Sequence, residues 1–172
     1  MNYLETERLI LRNITSDDAN DIFEYSQNPN VGLNAGWKPH ETILETRQIM
    51  NTIFIGQPNI FGIVLKSNMR VIGSIGLIPD PKRSNPNIKM LGYALGEPYW
   101  GNGYMTECVK MIIEYGFDML NLSHISAYTY PHNTRSQNIL KKCGFILEGT
   151  LTQSEKLFNG EIYDERCYIL SK

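Results

Sequence analysis

Leu95-Gly96-Glu97-Pro98-Tyr99-Trp100-Gly101-Asn102-Gly103-Tyr104-Met105-Thr106-Glu107 joins a predicted strand to a predicted helix. Gly101 and Gly103 admit backbone angles that other residues resist. Such a turn aims several N–H groups at one point beside a helix N-terminus, which makes a cradle for phosphate that needs no basic side chain. The same spacing also serves a plain strand-to-helix connection, and the glycines alone do not separate the two roles. Other nucleotide motifs are absent: there is no Gly-Lys-Ser/Thr, and no third glycine completes a dinucleotide fingerprint.

On either side the chain alternates strand and helix signals. Leu9-Ile10-Leu11-Arg12-Asn13-Ile14 reads as a strand. Thr15-Ser16-Asp17-Asp18 then starts a helix, with Thr15 as its cap and Asp18 near its positive end. Ile22, Phe23, Tyr25 and Ser26 carry that helix to Asn28-Pro29, where it stops. Residues 28–39, with Gly32, Gly36, Trp37 and Pro39, read as a loop. Residues 41–55 suit a second helix. Strands are expected over 60–66, 70–78 and 88–95, with a proline-rich surface loop over 79–86. A helix follows from Gly103 through Asp118, then a strand over 125–130, a helix over 134–143, and strands over 145–152 and 162–170. Clustered strands in the middle predict antiparallel pairing, and the later strand-helix-strand segments predict parallel pairing. The expected fold is mixed α/β: one domain over residues 1–172, with a largely antiparallel central sheet and helices on both faces.

Composition bounds the function. The chain has 172 residues, enough for one ordinary domain, and 42% are apolar, so it is neither disorder-prone nor membrane-like. Lys plus Arg total 16 against 18 Asp plus Glu, and a net charge of −2 offers no general attraction to nucleic acid or to an anionic membrane. The N-terminus lacks a basic region followed by an apolar stretch, so no signal peptide is expected. Cys108, Cys143 and Cys167 are odd in number and far apart, which suits reduced thiols in a cytoplasmic protein. Neither the cysteines nor His40, His124 and His132 have metal-ligand spacing, and no metal is expected.

The ordered set Glu7-Arg8-Leu9-Ile10-Leu11-Arg12, Asp17-Asp18-Ala19, Gly92-Tyr93-Ala94-Leu95, Tyr99 to Glu107, Asn133-Thr134-Arg135-Ser136, Lys142-Cys143-Gly144-Phe145, Asn159-Gly160 and Tyr163-Asp164 resembles the GNAT superfamily of N-acetyltransferases. Within it, the sequence is most similar to the branch of the ribosomal-protein N-terminal acetyltransferases, over nearly the whole chain. The resemblance implies that acetyl-coenzyme A lies where two parallel strands splay apart, the strand ending at Leu95 and the strand over 125–130. It implies cofactor contacts from Leu95, Trp100, Gly101, Asn102, Gly103, Tyr104, Met105, Asn133 and Ser136. The family pattern Gln/Arg-x-x-Gly-x-Gly/Ala falls on Trp100, Gly103 and Met105, so its first and last positions depart. Backbone groups near Leu95 would bond the pantetheine arm, and one amide would polarise the thioester carbonyl.

The implied chemistry is attack of a neutral amine on a thioester, which needs a proton acceptor and a donor for the departing thiolate. Many members of the family supply a tyrosine in the last helix; Leu140 stands there. Ser136 is the substitute assigned as general acid, with helix capping as its other role. Tyr104, Tyr128 and Tyr130 are held in reserve. No carboxylate stands out as base: Glu97 precedes the turn, Glu107 suits the first helical turn, and a water relay stays open. Trp37 and Phe158 are expected as apolar walls of the acceptor site, and Glu155 as an attraction for ammonium. The acceptor is a protein N-terminus or a small-molecule amine, and a homodimer stays open. A non-catalytic acyl-coenzyme A sensor is the alternative reading.

Overall fold

The computed structural model describes residues 3–172. In chain order the strands are β1 (Leu4–Glu5), β2 (Leu9–Arg12), β3 (Ile60–Leu65), β4 (Arg70–Pro79), β5 (Ile88–Leu95), β6 (His124–Thr129), β7 (Ile146–Lys156) and β8 (Ile162–Ser171). The α-helices are α1 (Ala19–Ser26), α2 (Pro29–Ala35), α3 (Ile43–Ile53), α4 (Tyr104–Glu114) and α5 (Thr134–Lys142). The strand order is β1-β2-β3-β4-β5-β6-β8-β7, mostly antiparallel with one parallel pair, β5 with β6. The mixed α/β class is as expected. The signal-peptide reading rests in part on Met1 and Asn2, which lie outside the described residues. Among the described residues no helix is long and apolar enough to cross a membrane.

The chain falls into two compact units, Met1–Gly76 with Tyr93–Cys108, and Leu77–Gly92 with Val109–Lys172. In the first, β2 lies antiparallel to β3 with Leu9 opposite Leu65 and Leu11 opposite Ile63. Alternation puts Leu9 and Leu11 inside, both fully buried, while Ile10 and Arg12 are half-buried. Ile14, Ala19, Ile22, Tyr25, Val31, Met50, Val64, Val71 and Ala94 form one apolar cluster, onto which Trp37 and Trp100 pack. Burying side chains of this size contributes roughly 1.5–3 kcal/mol each before entropy is counted. A Cβ at Gly73 of β4 would stand 2.3 Å from the Ala94 carbonyl oxygen, so glycine lets the two backbones approach there.

Residues 28–39 are not all loop, because α2 occupies Pro29–Ala35. Pro29 starts a helix rather than ending one: at the first helical position its missing N–H costs nothing. The Asn28 side chain accepts from the Asn30 amide at 2.9 Å, and Gly36 ends the helix in the left-handed region at φ 84°. Strand β2 stops at Arg12, two residues early. Asp18 explains why, since it accepts from the Thr15 amide at 2.8 Å and from Arg12 Nη2 and Nη1 at 2.7 and 2.8 Å.

In the second unit, β5 and β6 pair in parallel over Ile88–His124, Lys89–Ile125 and Met90–Ser126. Strand β6 is antiparallel to β8, and β8 to β7. Ile112, Ile125, Leu140 and Tyr168 are fully buried in this unit. Strand β7 runs to Lys156, past its expected end, with extra residues between Leu151 and Glu155 and Gln153 at φ 52°. The predicted surface loop holds a buried anchor. Asp80 accepts from the Lys82 amide at 2.8 Å, from Tyr128 Oη at 2.9 and 3.0 Å, and from the Ser126 hydroxyl. Helix α4 ends at Glu114, four residues early, and residues 115–119 wind as a wider π turn.

Candidate functional site

The first unit holds the turn that precedes α4. At the end of β5 the Gly96 amide donates to the Ile72 carbonyl at 2.8 Å, so this amide is already used and is not the one that would polarise a thioester. The Leu95 carbonyl accepts from the Trp100 indole Nε1 at 2.8 Å. Trp100 therefore folds the turn back onto the strand. Asn102 Nδ2 donates to the Tyr99 and Trp100 carbonyls, both at 3.1 Å, which tightens the same loop.

Gly101 and Gly103 have φ values of 78° and 80°, angles that L side chains rarely adopt. A Cβ at Gly101 would meet nothing within 4 Å, and one at Gly103 would meet only Arg8 Nη2 at 3.5 Å. The space over both glycines is thus open, at the head of an eleven-residue helix whose N-terminal end favours negative charge. Met105, which stands where the family pattern has a small residue, is 4% exposed and belongs to the interior.

Two carboxylates flank this turn. Glu97 accepts from Asn28 Nδ2 at 2.7 Å and from Asn30 Nδ2 at 3.0 Å. Glu107 accepts from the Arg8 amide at 3.0 Å, from Arg8 Nε at 2.8 Å and from the Thr6 hydroxyl. Burial draws the Glu107 carboxyl up, but hydrogen bonds from Thr6 and Arg8 outweigh it and hold the group below its ordinary range. Arg8 was not among the expected site residues. It lies 99 positions from Glu107, beyond the reach of any local spacing.

The second unit holds the start of α5. Asn133 caps this helix, its side-chain oxygen accepting from the Ser136 amide at 3.2 Å. Ser136 itself occupies the third helical position and is 9% exposed. Gln137 Nε2 donates to the Tyr130 and Pro131 carbonyls at 3.1 and 3.0 Å, and its oxygen accepts from Arg166 at 2.7 Å. These bonds fix the link between β6 and α5. Leu140 is fully buried, so this position serves packing.

The three tyrosines held in reserve differ in environment. Tyr128 donates to Asp80, and Tyr104 lies under the Arg8 guanidinium at 4.5 Å. Burial, with Glu155, Glu165 and Tyr163 nearby, pushes the Tyr130 phenol up to about 12. It keeps its proton at every physiological pH. Tyr130 stacks on His132 at 5.6 Å and meets Tyr163 edge-on at 5.4 Å.

The expected acceptor residues divide between the units. Trp37 belongs to the first unit and packs on its apolar cluster. Glu155 and Phe158 belong to the β7–β8 hairpin of the second, where Glu155 lies opposite Tyr163 and Phe158 is exposed. Among the described residues no group of three His, Cys, Asp or Glu side chains is placed to hold a metal.

Comparison with known proteins adds to this geometry. An acetyltransferase (GNAT) domain model matches residues 8–146. The uncharacterized N-acetyltransferase p20 of Bacillus licheniformis is 35% identical, with all of this chain and 97% of the relative covered. The ribosomal protein uS5-alanine N-acetyltransferase of Escherichia coli (strain K12) is 27% identical over 85% of this chain and 79% of its own length. Among solved structures, spermidine N-acetyltransferase from Vibrio cholerae, in complex with CoA and spermine, superposes with a TM-score of 0.80. It covers 96% of both chains at 21% identity and so supports the fold alone.

Proposed function

We propose, from the premise that this chain belongs to the acetyltransferase (GNAT) family and is an acyltransferase, that it moves the acetyl group of acetyl-coenzyme A onto a primary amine. The reading takes residues 1–172 as one acetyltransferase domain. The observation that carries it is the pair of left-handed glycines, 101 and 103, with open space over both at the head of α4. An anion of the size of pyrophosphate fits a cradle of this chemistry, because backbone N–H groups and the helix end supply positive potential without a mobile side chain. The contacts belong to Leu95, Trp100, Gly101, Asn102, Gly103, Tyr104, Met105, Asn133 and Ser136. Trp100 and Met105 act through the backbone, since the indole is bonded to Leu95 and the methionine is buried.

The reaction is direct. The amine nitrogen forms a bond to the thioester carbon, the carbon–sulfur bond breaks, and sulfur leaves with the electron pair. Ser136 passes its hydroxyl proton to that sulfur and takes one back from solvent, so that the proton lost by the amine balances the one gained by the thiol. Tyr130, protonated up to about pH 12, is the second donor if Ser136 serves only the helix. The amine proton passes to water or to a carboxylate, for which Glu97, held by Asn28 and Asn30, is available. Trp37, Phe158 and Glu155 receive the acceptor. One relative is named for acetylating an alanine of ribosomal protein uS5, which supports a primary amine as the acceptor, on a protein N-terminus or on a small molecule.

A panel of amines incubated with acetyl-coenzyme A, with free thiol as the readout, tests the reading. The expected result is amine-dependent thiol release. Absence of binding by calorimetry, together with no melting shift at saturating acetyl-coenzyme A, overturns it. Binding without turnover on any amine returns the chain to the acyl-coenzyme A sensor.

A further inference from the structure

Arg8 stands in the link between β1 and β2, yet its guanidinium engages three successive parts of the glycine turn. Nη1 donates to the Asn102 carbonyl at 3.0 Å. Nε donates to Glu107 Oε2 at 2.8 Å, and Nη2 stands 2.8 Å from the same oxygen. The carbon of the guanidinium lies 4.5 Å over the Tyr104 ring. The Arg8 amide and the Thr6 hydroxyl fasten the other Glu107 oxygen, so the carboxylate cannot swing away.

Two consequences follow from elementary geometry. A trans peptide points its carbonyl and its amide in opposite directions. Holding the Asn102 carbonyl toward Arg8 therefore turns the Gly103 N–H to the other side of the turn. Without that hold, the Asn102–Gly103 peptide has the freedom of a glycine on its C-terminal side and can rotate. The second consequence is electrostatic. A carboxylate in the first turn of α4 suits the helix but repels an incoming anion, and Arg8 cancels that charge. Arginine meets both demands because its rigid fork serves a carbonyl and a carboxylate at once, which a lysine ammonium does not.

We propose that Arg8 is a positioning residue for the anion cradle, setting the direction of the Asn102–Gly103 peptide and neutralising Glu107 so that the turn accepts a pyrophosphate. This rests on the function proposed above. Arg8 is half-exposed, and ion pairs of that kind contribute little to stability. Fold and cradle are therefore separable by experiment.

Arg8→Ala and Arg8→Lys are compared with the unsubstituted protein, using acetyl-coenzyme A, its 3′-dephospho form and acetyl-pantetheine as donors. Arg8→Ala should raise the KM for acetyl-coenzyme A about 10- to 100-fold, the size of one charge-assisted hydrogen bond. At saturation kcat should hold, as should the KM for the amine, while the melting temperature should fall only slightly, by the share Arg8 gives to holding Glu107. The same fold-loss is expected with the 3′-dephospho donor, and none with acetyl-pantetheine, which has no phosphate. Arg8→Lys should not restore the KM. An unchanged KM in Arg8→Ala overturns the proposal. So does full rescue by lysine, which would make Arg8 a bare charge. Loss confined to the donor that carries the 3′-phosphate would make Arg8 a direct ligand of that group and overturns positioning. If the unsubstituted protein fails to bind coenzyme A by calorimetry, the parent reading has failed instead.

Discussion

The turns that lead into α4 and α5 solve the same local problem, starting a helix after a strand, in opposite ways. Ahead of α4, two left-handed glycines leave the backbone open, and the nearest large side chains are drawn aside: Trp100 to Leu95, Met105 to the interior, Glu107 to Arg8. Ahead of α5, the side chains close the backbone. Asn133 caps the Ser136 amide, and Gln137 ties down the Tyr130 and Pro131 carbonyls. An open helix start offers N–H groups and positive potential to an anion; a capped one offers hydroxyls in fixed positions. In the function proposed above, the first binds and the second donates.

The largest expected effect tests the donating half of that contrast. Ser136→Ala removes one hydroxyl and little volume. If that hydroxyl protonates the leaving sulfur, turnover should fall by about 10²–10⁴-fold while acetyl-coenzyme A affinity holds. Turnover and melting measured on one preparation decide it. Full turnover would pass the step to Tyr130, and the rate should then show no loss on the basic side below the phenol's pKa of about 12.

Gly103→Val attacks the binding half. A β-branched residue at φ 80° is strained, and its side chain enters the open space toward Arg8. Strain of this kind costs the fold roughly 1–3 kcal/mol, and affinity for acetyl-coenzyme A should drop because the side chain fills the space through which a pyrophosphate would reach the backbone. Calorimetry on a variant that still melts cooperatively is the check; unchanged affinity would place the cradle elsewhere.

Asn133→Ala is smaller. Losing the cap should lower stability by about 1 kcal/mol, read as a drop in melting temperature. A cap with no other duty leaves affinity alone. An added loss of affinity would give Asn133 the cofactor contact as well, and would blur the contrast between the two helix starts.

The smallest effect is in acid. Glu107 and Asp18 both titrate below their ordinary carboxyl range, held there by Arg8 with Thr6 and by Arg12 with Thr15 against the cost of burial. A depressed folded pKa stabilises the fold above the unfolded value and is lost as pH falls through the folded one. The melting temperature should therefore be level from neutral pH to about 5 and decline below about 4. Glu107→Gln should flatten part of that decline. A Glu107→Gln profile parallel to the parent would remove Glu107 from the linkage.

Much of the fold was legible because its signals are local. Leu9 and Leu11 alternate with Ile10 and Arg12, and burial follows that alternation. Thr15 and Asp18 sit three apart, and the amide of one meets the carboxylate of the other. Where reading failed, one residue type served two local states. Pro29 reads as a stop, yet it opens α2, because the same missing N–H that ends a helix is harmless at its first position. In the candidate site, the two glycines were visible for the same local reason, whereas Arg8, Gln137 and Arg166 were not.

The amino-acid order alone determined the places where one side chain, or its absence, dictates a backbone angle or a nearby hydrogen bond: the left-handed turn at 101 and 103, the cap at 133, the apolar faces of the strands. Tertiary structure alone decided which distant groups meet. Arg8 reaches Asn102 and Glu107 across 94 and 99 positions, and Asp80 takes Ser126 and Tyr128 across 46 and 48. Such pairs are set by strand register and by the packing of whole elements. No spacing along the chain encodes them, and the charge or hydroxyl of each partner acquires its role only when the fold removes the water between them.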